Sequence, residues 1–252
     1  MPTAREALLR SALAALADLP WSAIRMVDVA SGAGVSRQTL YNEFGSKDGL
    51  ARALTRREAD RYLHGVERLL GERADAADRL VAVAEWTVGE ARARPLLRAL
   101  LTGCWGEWLP APPPARAATA TSAVPAQRRA DAGPPGTADL VALVRDRSAA
   151  ALRQDPRDHS QRTADPRDHG SRDHSQRDAG PRDPRPRDHA QRDHGRDELL
   201  YRCELAVRLA LAHLIAPGAE SVGPLVRTAV TAPLRAPLRA PLSAPSPRAG
   251  AR

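Results

Sequence analysis

The sequence has few of the residues that build disulfide frameworks, aromatic cores and membrane spans. Its 252 residues include 2 cysteines and 1 phenylalanine, and aromatic residues make up 3% of the chain. Cys104 and Cys203 lie far apart and at no metal-ligand spacing, which indicates buried, reduced thiols in a cytoplasmic protein. No apolar run approaches the ~20 residues that span a bilayer, so no membrane partner is expected. Thr3 and Glu6 predict a capping box at the start of a helix, so no signal peptide is expected.

Lysine is almost absent, although the chain is basic. Lys47 is the only lysine, and the formal net charge of +8 comes from arginine. The charge is nearly balanced over residues 1–70, because most of the excess lies further along the chain. The net charge therefore favours a nucleic-acid partner only weakly, and that interpretation depends on a motif.

Residues 24–50 contain the most informative pattern. They predict two short helices joined by a turn at Gly34, with a third helix beginning at Ser46. Glycine tolerates the left-handed backbone of such a turn, and Ser36 is a favoured N-cap for the second helix. The side chains predicted to face the core are Val29, Ala33, Val35, Leu40 and Phe44.

The second of these helices has a row of polar side chains on its outer face. These are Arg37, Gln38, Thr39, Tyr41 and Asn42. A helix-turn-helix places this part of its second helix in the major groove of double-stranded DNA. Arg37 can donate to guanine, and Gln38 or Asn42 can pair with adenine, each good bidentate contact discriminating by roughly 1–3 kcal/mol. Thr39 can touch a thymine methyl group.

Residues 5–50 closely resemble the N-terminal domain of the TetR family of bacterial transcriptional regulators. The matching elements are Val29-Ala30, Ala33-Gly34-Val35-Ser36, Leu40-Tyr41, Phe44 and Ser46-Lys47-Asp48-Gly49-Leu50. The resemblance implies an all-α fold, with a three-helix DNA-binding domain before a helical domain for ligand binding and dimerisation. It implies that the DNA-binding residues are Arg25, Ser36, Arg37, Gln38, Thr39, Tyr41, Asn42 and Lys47. Arg25 replaces the family's usual Thr or Ser, and Glu43 replaces its common His or Tyr.

The domain boundaries follow from composition. We expect a DNA-binding domain over 1–50, and an effector-binding and dimerisation domain over 51–153 and 197–231. Pro, Ala and Gly predict a flexible linker over 110–136. An Arg-Asp-His repeat rich in proline predicts disorder over 154–196, and a Pro-rich tail over 232–252 is expected to be disordered too. A mobile repeat lacks the fixed geometry of a metal site, so no metal and no cofactor is expected.

Apolar periodicity predicts the remaining helices. The expected ranges are 4–18, 47–70, 76–94, 95–108, 140–152, 199–214 and 221–231.

Two further sites are expected in the second domain. The family resemblance places three tryptophans at an effector pocket, namely Trp86, Trp105 and Trp108. Core packing is the commoner role of such residues. A second site is an apolar stripe formed by Leu199, Cys203, Val207, Leu211 and Leu214. The resemblance makes this stripe the candidate homodimer interface, and the alternative is that it belongs to an internal core helix.

The leading hypothesis is a homodimeric repressor that binds a palindromic operator and is released by a small-molecule effector. The alternative is a helical interaction or scaffold protein that retains the fold without operator binding. An enzyme has little support, because the sequence contains no Gly-rich phosphate loop and no nucleophile with a base at motif spacing.

Overall fold

A computed structural model of the chain describes residues 3–72, 75–111, 135–154 and 186–232, with the side chains of 186–194 excepted. Within these ranges the protein consists of helices and connecting turns, which confirms the predicted all-α fold class. The helices are α1 (Ala4–Asp18), α2 (Met26–Gly32), α3 (Arg37–Phe44), α4 (Lys47–Leu70), α5 (Ala76–Ala93), α6 (Pro95–Thr102), α7 (Thr137–Arg153), α8 (Pro186–Ile215) and α9 (Val222–Thr231). Most of the predicted linker, the larger part of the predicted repeat insert and nearly all of the tail lie outside the described residues.

Local signals set the start of α1 and the turn that follows α2. The Thr3 hydroxyl accepts from the Glu6 amide at 3.2 Å, and the Glu6 carboxylate accepts from the Thr3 amide at 3.1 Å. This reciprocal pair is the predicted capping box. Gly34 has a φ of +69°, a left-handed conformation that glycine adopts without strain. The Ser36 hydroxyl accepts from the Thr39 amide at 3.0 Å, which confirms Ser36 as the N-cap of α3.

The N-terminal core lies between α1, α2, α3 and the first turns of α4. Leu8, Val29 and Leu40 are fully buried in it, and Phe44 is buried at the end of α3. Of the residues predicted to face this core, Ala33 and Val35 are half-buried.

Helix α4 connects this core to a second one. Its 24 residues extend for about 36 Å. Leu50 and Leu54 pack in the N-terminal core, while Tyr62 and Val66 pack in the second core with α5, α7, α8 and α9. A shift of α4 therefore changes the packing of both cores.

Helix α6 also belongs to both cores. Leu96 packs in the N-terminal core, whereas Leu97, Leu100 and Leu101 pack in the second. Trp105, just beyond α6, packs against both. These contacts join the two parts of the chain through apolar packing as well as through the backbone of α4.

Helix α6 is shorter than predicted. It ends at Thr102 instead of near residue 108, because Gly103 takes a left-handed φ of +73° that terminates the helix. Trp105 and Trp108 therefore lie outside a helix. Cys104 is exposed, which corrects the expectation that both thiols are buried; only Cys203 is.

Helix α8 differs from the prediction in its start and in the direction that its stripe faces. It begins at Pro186 rather than near residue 199, because proline is tolerated in a first helical turn and the next proline is Pro217. Cys203, Val207 and Leu214 are buried within the protomer core. They are therefore internal residues and not a dimer surface, which corrects that assignment for these three.

The other two residues of the stripe are partly accessible. Leu199 and Leu211 are half-buried and pack against the edge of the second core. Among the helices that the structure describes, none combines the length and the apolar character needed to cross a membrane.

Candidate nucleic-acid interface

The predicted DNA-binding residues of segment 36–42 lie together on the outside of α3. Arg37, Gln38 and Asn42 are exposed, whereas Thr39 and Tyr41 are half-buried. They share one short helix because its opposite side, with Leu40 and Phe44, packs in the N-terminal core. Burial of that side holds the polar row outward.

Neighbouring polar side chains on α3 are ordered against each other one helical turn apart. The Gln38 Nε2 donates to the Asn42 Oδ1 at 2.8 Å, and the guanidinium carbon of Arg37 lies 5.3 Å from the centroid of the Tyr41 ring. The Gln38 amide keeps one N–H and its carbonyl oxygen for another partner, which is the donor and acceptor pair that adenine requires. The row can thus present fixed hydrogen-bonding groups to a base edge.

Arg25 lies before the first residue of α2, as its N-cap. Its Nε donates to the Asp28 carboxylate at 2.8 Å, and both side chains are more than half exposed. Exposed ion pairs of this kind contribute about 0–1 kcal/mol. The Arg25 guanidinium can therefore exchange Asp28 for a phosphate at little cost.

Lys47 is the first residue of α4, where free amides and the helix dipole favour an anion. Its Nζ donates to the Ser22 carbonyl at 3.2 Å and lies 5.1 Å from the Trp21 ring centroid. Burial lowers the pKa of Lys47, while Asp48 opposes this change. An ammonium has three donors, so the carbonyl contact leaves Lys47 able to bind a phosphate.

The three tryptophans predicted at an effector pocket are not brought together. Trp86 stacks on Tyr62 in the second core, with ring centroids 5.6 Å apart and planes 7° from parallel. Trp108 lies next to the N-terminal domain, where its carbonyl accepts from the Trp21 amide at 3.0 Å, and its side chain is exposed. Trp105 lies between the two cores.

A partly buried ion cluster between α4 and the end of α5 was not predicted from the sequence. Glu58 is 4% exposed, and its Oε2 accepts from Arg94, which also donates to Glu90 at 3.1 Å. Burial raises the pKa of Glu58, and the Arg94 charge partly opposes this. The available signal was a charged residue within the apolar stripe of α4, but its partner lies 36 positions away.

A contact that supports the end of α3 was also missed. The Arg5 Nη1 donates to the Glu43 carbonyl at 3.2 Å and to the Glu43 carboxylate at 3.4 Å, and the guanidinium lies 4.7 Å from the Phe44 ring centroid. Helix α3 has no basic residue in its own last turn. Arg5 therefore supplies, from α1, the positive charge that favours a helix C-terminus.

Comparison with known proteins identifies a family match at this end of the chain. Residues 8–54 match the family model described as bacterial regulatory proteins, tetR family. The HTH-type transcriptional regulator AlkX of Mycobacterium tuberculosis (strain ATCC 25618 / H37Rv) is 43% identical over 106 residues, which cover 40% of this chain. The match spans 50% of the length of that relative.

Solved structures of low sequence identity are also similar to this chain. The TetR family repressor AlkX from Dietzia sp. strain DQ12-45-1b is 16% identical with a TM-score of 0.45, and the match covers 89% of this chain and 92% of that one. A tetR-family transcriptional regulator from Streptomyces coelicolor is 17% identical with a TM-score of 0.44, over 91% of this chain and 79% of that one.

Proposed function

We propose that the protein is a sequence-specific DNA-binding transcriptional regulator, because residues 8–54 match the tetR family model and a 43% identical relative is an HTH-type transcriptional regulator. We propose further that it is a homodimeric repressor released by a small-molecule effector. The observation that carries the proposal is the outward polar row of α3, with Arg37, Gln38 and Asn42 exposed. Burial of Leu40 and Phe44 on the opposite side holds this row outward.

In this proposal the residues of the interface have two kinds of role. Arg37, Gln38 and Asn42 read base edges in the major groove, and Thr39 contacts a thymine methyl group. Phosphate contacts are assigned to the remaining residues, which are Arg25, Ser36, Tyr41 and Lys47. Contacts of the first kind confer sequence preference, whereas those of the second kind position the domain.

Homodimerisation is assigned to the outer face of α7 and α8 rather than to the stripe predicted from the sequence. A groove of about 640 Å³ runs between these helices, and Val141, Leu211 and the exposed Ile215 line it. An isologous pairing of this face with a second copy covers the apolar lining. Two recognition helices then meet successive major grooves about 34–36 Å apart, which requires a palindromic operator.

Effector release is assigned to the two helices that belong to both cores. A ligand that binds in the second core and displaces α6 also moves Leu96, which packs in the N-terminal core. Such a ligand weakens operator binding only if it binds the two arrangements with different affinity. The expected effect is reciprocal: the operator lowers the affinity for the effector by the same factor.

The test is a selection on random duplexes, followed by fluorescence anisotropy with the selected site and a scrambled one. Arg37→Ala is expected to lose preference for the selected site. Lys47→Ala is expected to weaken binding to both duplexes alike and to reduce the slope of log K against log salt by about 1. Equal effects of the two variants refute this division of roles. Failure of the wild-type protein to bind any duplex refutes the proposal and favours the scaffold alternative.

A further inference from the structure

A groove on the side of α4 opposite Lys47 has an excess of positive charge and no assigned role. It lies between α1, the corner that joins α3 to α4, and the side of α4, with a volume of about 620 Å³. It includes Asn42, near the end of α3. Its charged lining residues are Arg5, Arg52, Arg56, Arg57, Glu43 and Asp60. Positive side chains therefore outnumber negative ones.

One of the two acids of the groove, Glu43, lies on α3 itself and is already paired with Arg5. Glu43 accepts from Arg5 through both its carboxylate and its carbonyl. The other acid, Asp60, lies eight residues beyond Arg52 on α4, which is about 12 Å along the helix axis. The end of the groove next to α3 is therefore the positive end.

Arg52 supplies a cation at this end that has no partner within the described residues. Its side chain is half-buried, and within residues 3–72, 75–111, 135–154 and 186–232 it makes no ion pair and donates no hydrogen bond. Arg56 follows one turn later along the same side of α4. At about 100° per residue, Arg52 and Arg56 lie roughly 140° and 180° around the helix from Lys47.

These positions place cations on both sides of the corner between α3 and α4. Lys47 is directed to the side of Trp21 and Ser22, whereas the groove is on the side of Arg5. A helix that lies in the major groove has one sugar-phosphate backbone along each of its sides. We infer that the groove of Arg52 and Arg56 contacts the second phosphate backbone, opposite the one that Lys47 contacts.

This inference rests on the proposed function and assigns to it a surface outside residues 1–50. Phosphate contacts carry no sequence information, so the groove is expected to contribute affinity equally on every duplex. Each phosphate contact contributes about 0.9 to the slope of log K against log salt. Loss of one contact is therefore expected to weaken binding about five-fold at 0.15 M salt.

The experiment measures duplex binding by anisotropy from 0.05 to 0.3 M salt for the full chain and three variants. Arg52→Gln is expected to reduce the salt slope by about 0.9 on both selected and scrambled duplexes, and Arg52→Lys to retain it. Arg68→Gln is the matched control, because it removes the same charge from an exposed position on α4, about 24 Å along the axis from Arg52. That distance exceeds the Debye length of ≈ 8 Å at this ionic strength.

Three results overturn the inference, and they are distinguishable. If the slope of Arg52→Gln equals that of the wild-type protein or of Arg68→Gln, the groove does not contact DNA. If inorganic phosphate without DNA raises the melting temperature of the wild-type protein but not of Arg52→Gln, while the slopes are equal, the groove holds a free phosphorylated ligand. If the wild-type protein binds no duplex, the proposed function fails and this inference fails with it.

Discussion

The ion cluster of Glu58, Arg94 and Glu90 offers the sharpest test of what holds α4 against the second core. In Arg94→Ala the carboxylate of Glu58 loses its hydrogen-bonded cation while it stays buried, and only the charge of Arg61 still favours its ionised form. Its Oε1 has no hydrogen-bond partner among the described residues even with Arg94 present. Removal of one partner of a buried pair destabilises by about 3–5 kcal/mol. Protonation of Glu58 offers the protein a way to limit this loss.

The limit can be worked from the pKa. Protonating a carboxyl group of ordinary pKa 4.5 at pH 7 costs about 3.4 kcal/mol, at 1.36 kcal/mol per pH unit. We therefore expect Arg94→Ala to lower the free energy of unfolding by up to about 3.4 kcal/mol at pH 7 and by about 0.7 kcal/mol at pH 5. The corresponding fall in melting temperature at pH 7 is up to about 7–14 °C, at about 2–4 °C per kcal/mol for a chain of this size.

The assay is urea unfolding followed by circular dichroism at 222 nm, at one protein concentration because the proposed dimerisation would contribute to stability. Arg98→Ala is the matched control, since Arg98 is an exposed arginine on α6, and its effect is expected within about 0.5 kcal/mol. Glu58→Gln combined with Arg94→Ala is expected to recover most of the loss, because no charge stays buried. A loss that is the same at pH 5 and pH 7, or a double variant no more stable than Arg94→Ala, refutes the reasoning.

Two further predictions test the packing of the second core. A Cβ at Gly65 would lie 2.1 Å from the Trp86 Cη2, so Gly65→Ala is expected to destabilise the protein by about 1–3 kcal/mol. A Cβ at Gly89 would meet no atom within 4 Å, so Gly89→Ala is expected to stabilise the protein by up to about 1 kcal/mol. Urea unfolding of both variants checks this, and equal effects contradict it. Burial raises the pKa of Cys203 to about 12, while Cys104 is exposed. Because the thiolate is the reactive form, an aromatic disulfide reagent at pH 8 is expected to modify only Cys104 in the folded protein and Cys203 only after denaturation. Rapid reaction of two thiols per native chain contradicts this burial.

Much of the candidate site could be predicted because its signals are local. The hydroxyl of a cap such as Ser36 bonds an amide three residues away, and the left-handed conformation at Gly34 depends on that one residue. The start of α1 at Ala4, the bounds of α4 and the outward row of α3 all follow from spacings shorter than two helical turns. Helix α6 is the exception, since Gly103 is itself a local stop signal and the apolar periodicity beyond it concealed the end of the helix.

The sequence by itself determined the helical class, the helix-turn-helix and the outward polar row for which we propose DNA contact, because each depends on neighbours along the chain. Only the tertiary structure decided which surface the stripe of Cys203 and Val207 covers, since an apolar stripe has the same periodicity whether it packs inside a protomer or against a partner. It also decided the pairing of Glu58 with Arg94, because two charges 36 positions apart meet only after α4 and α5 have packed.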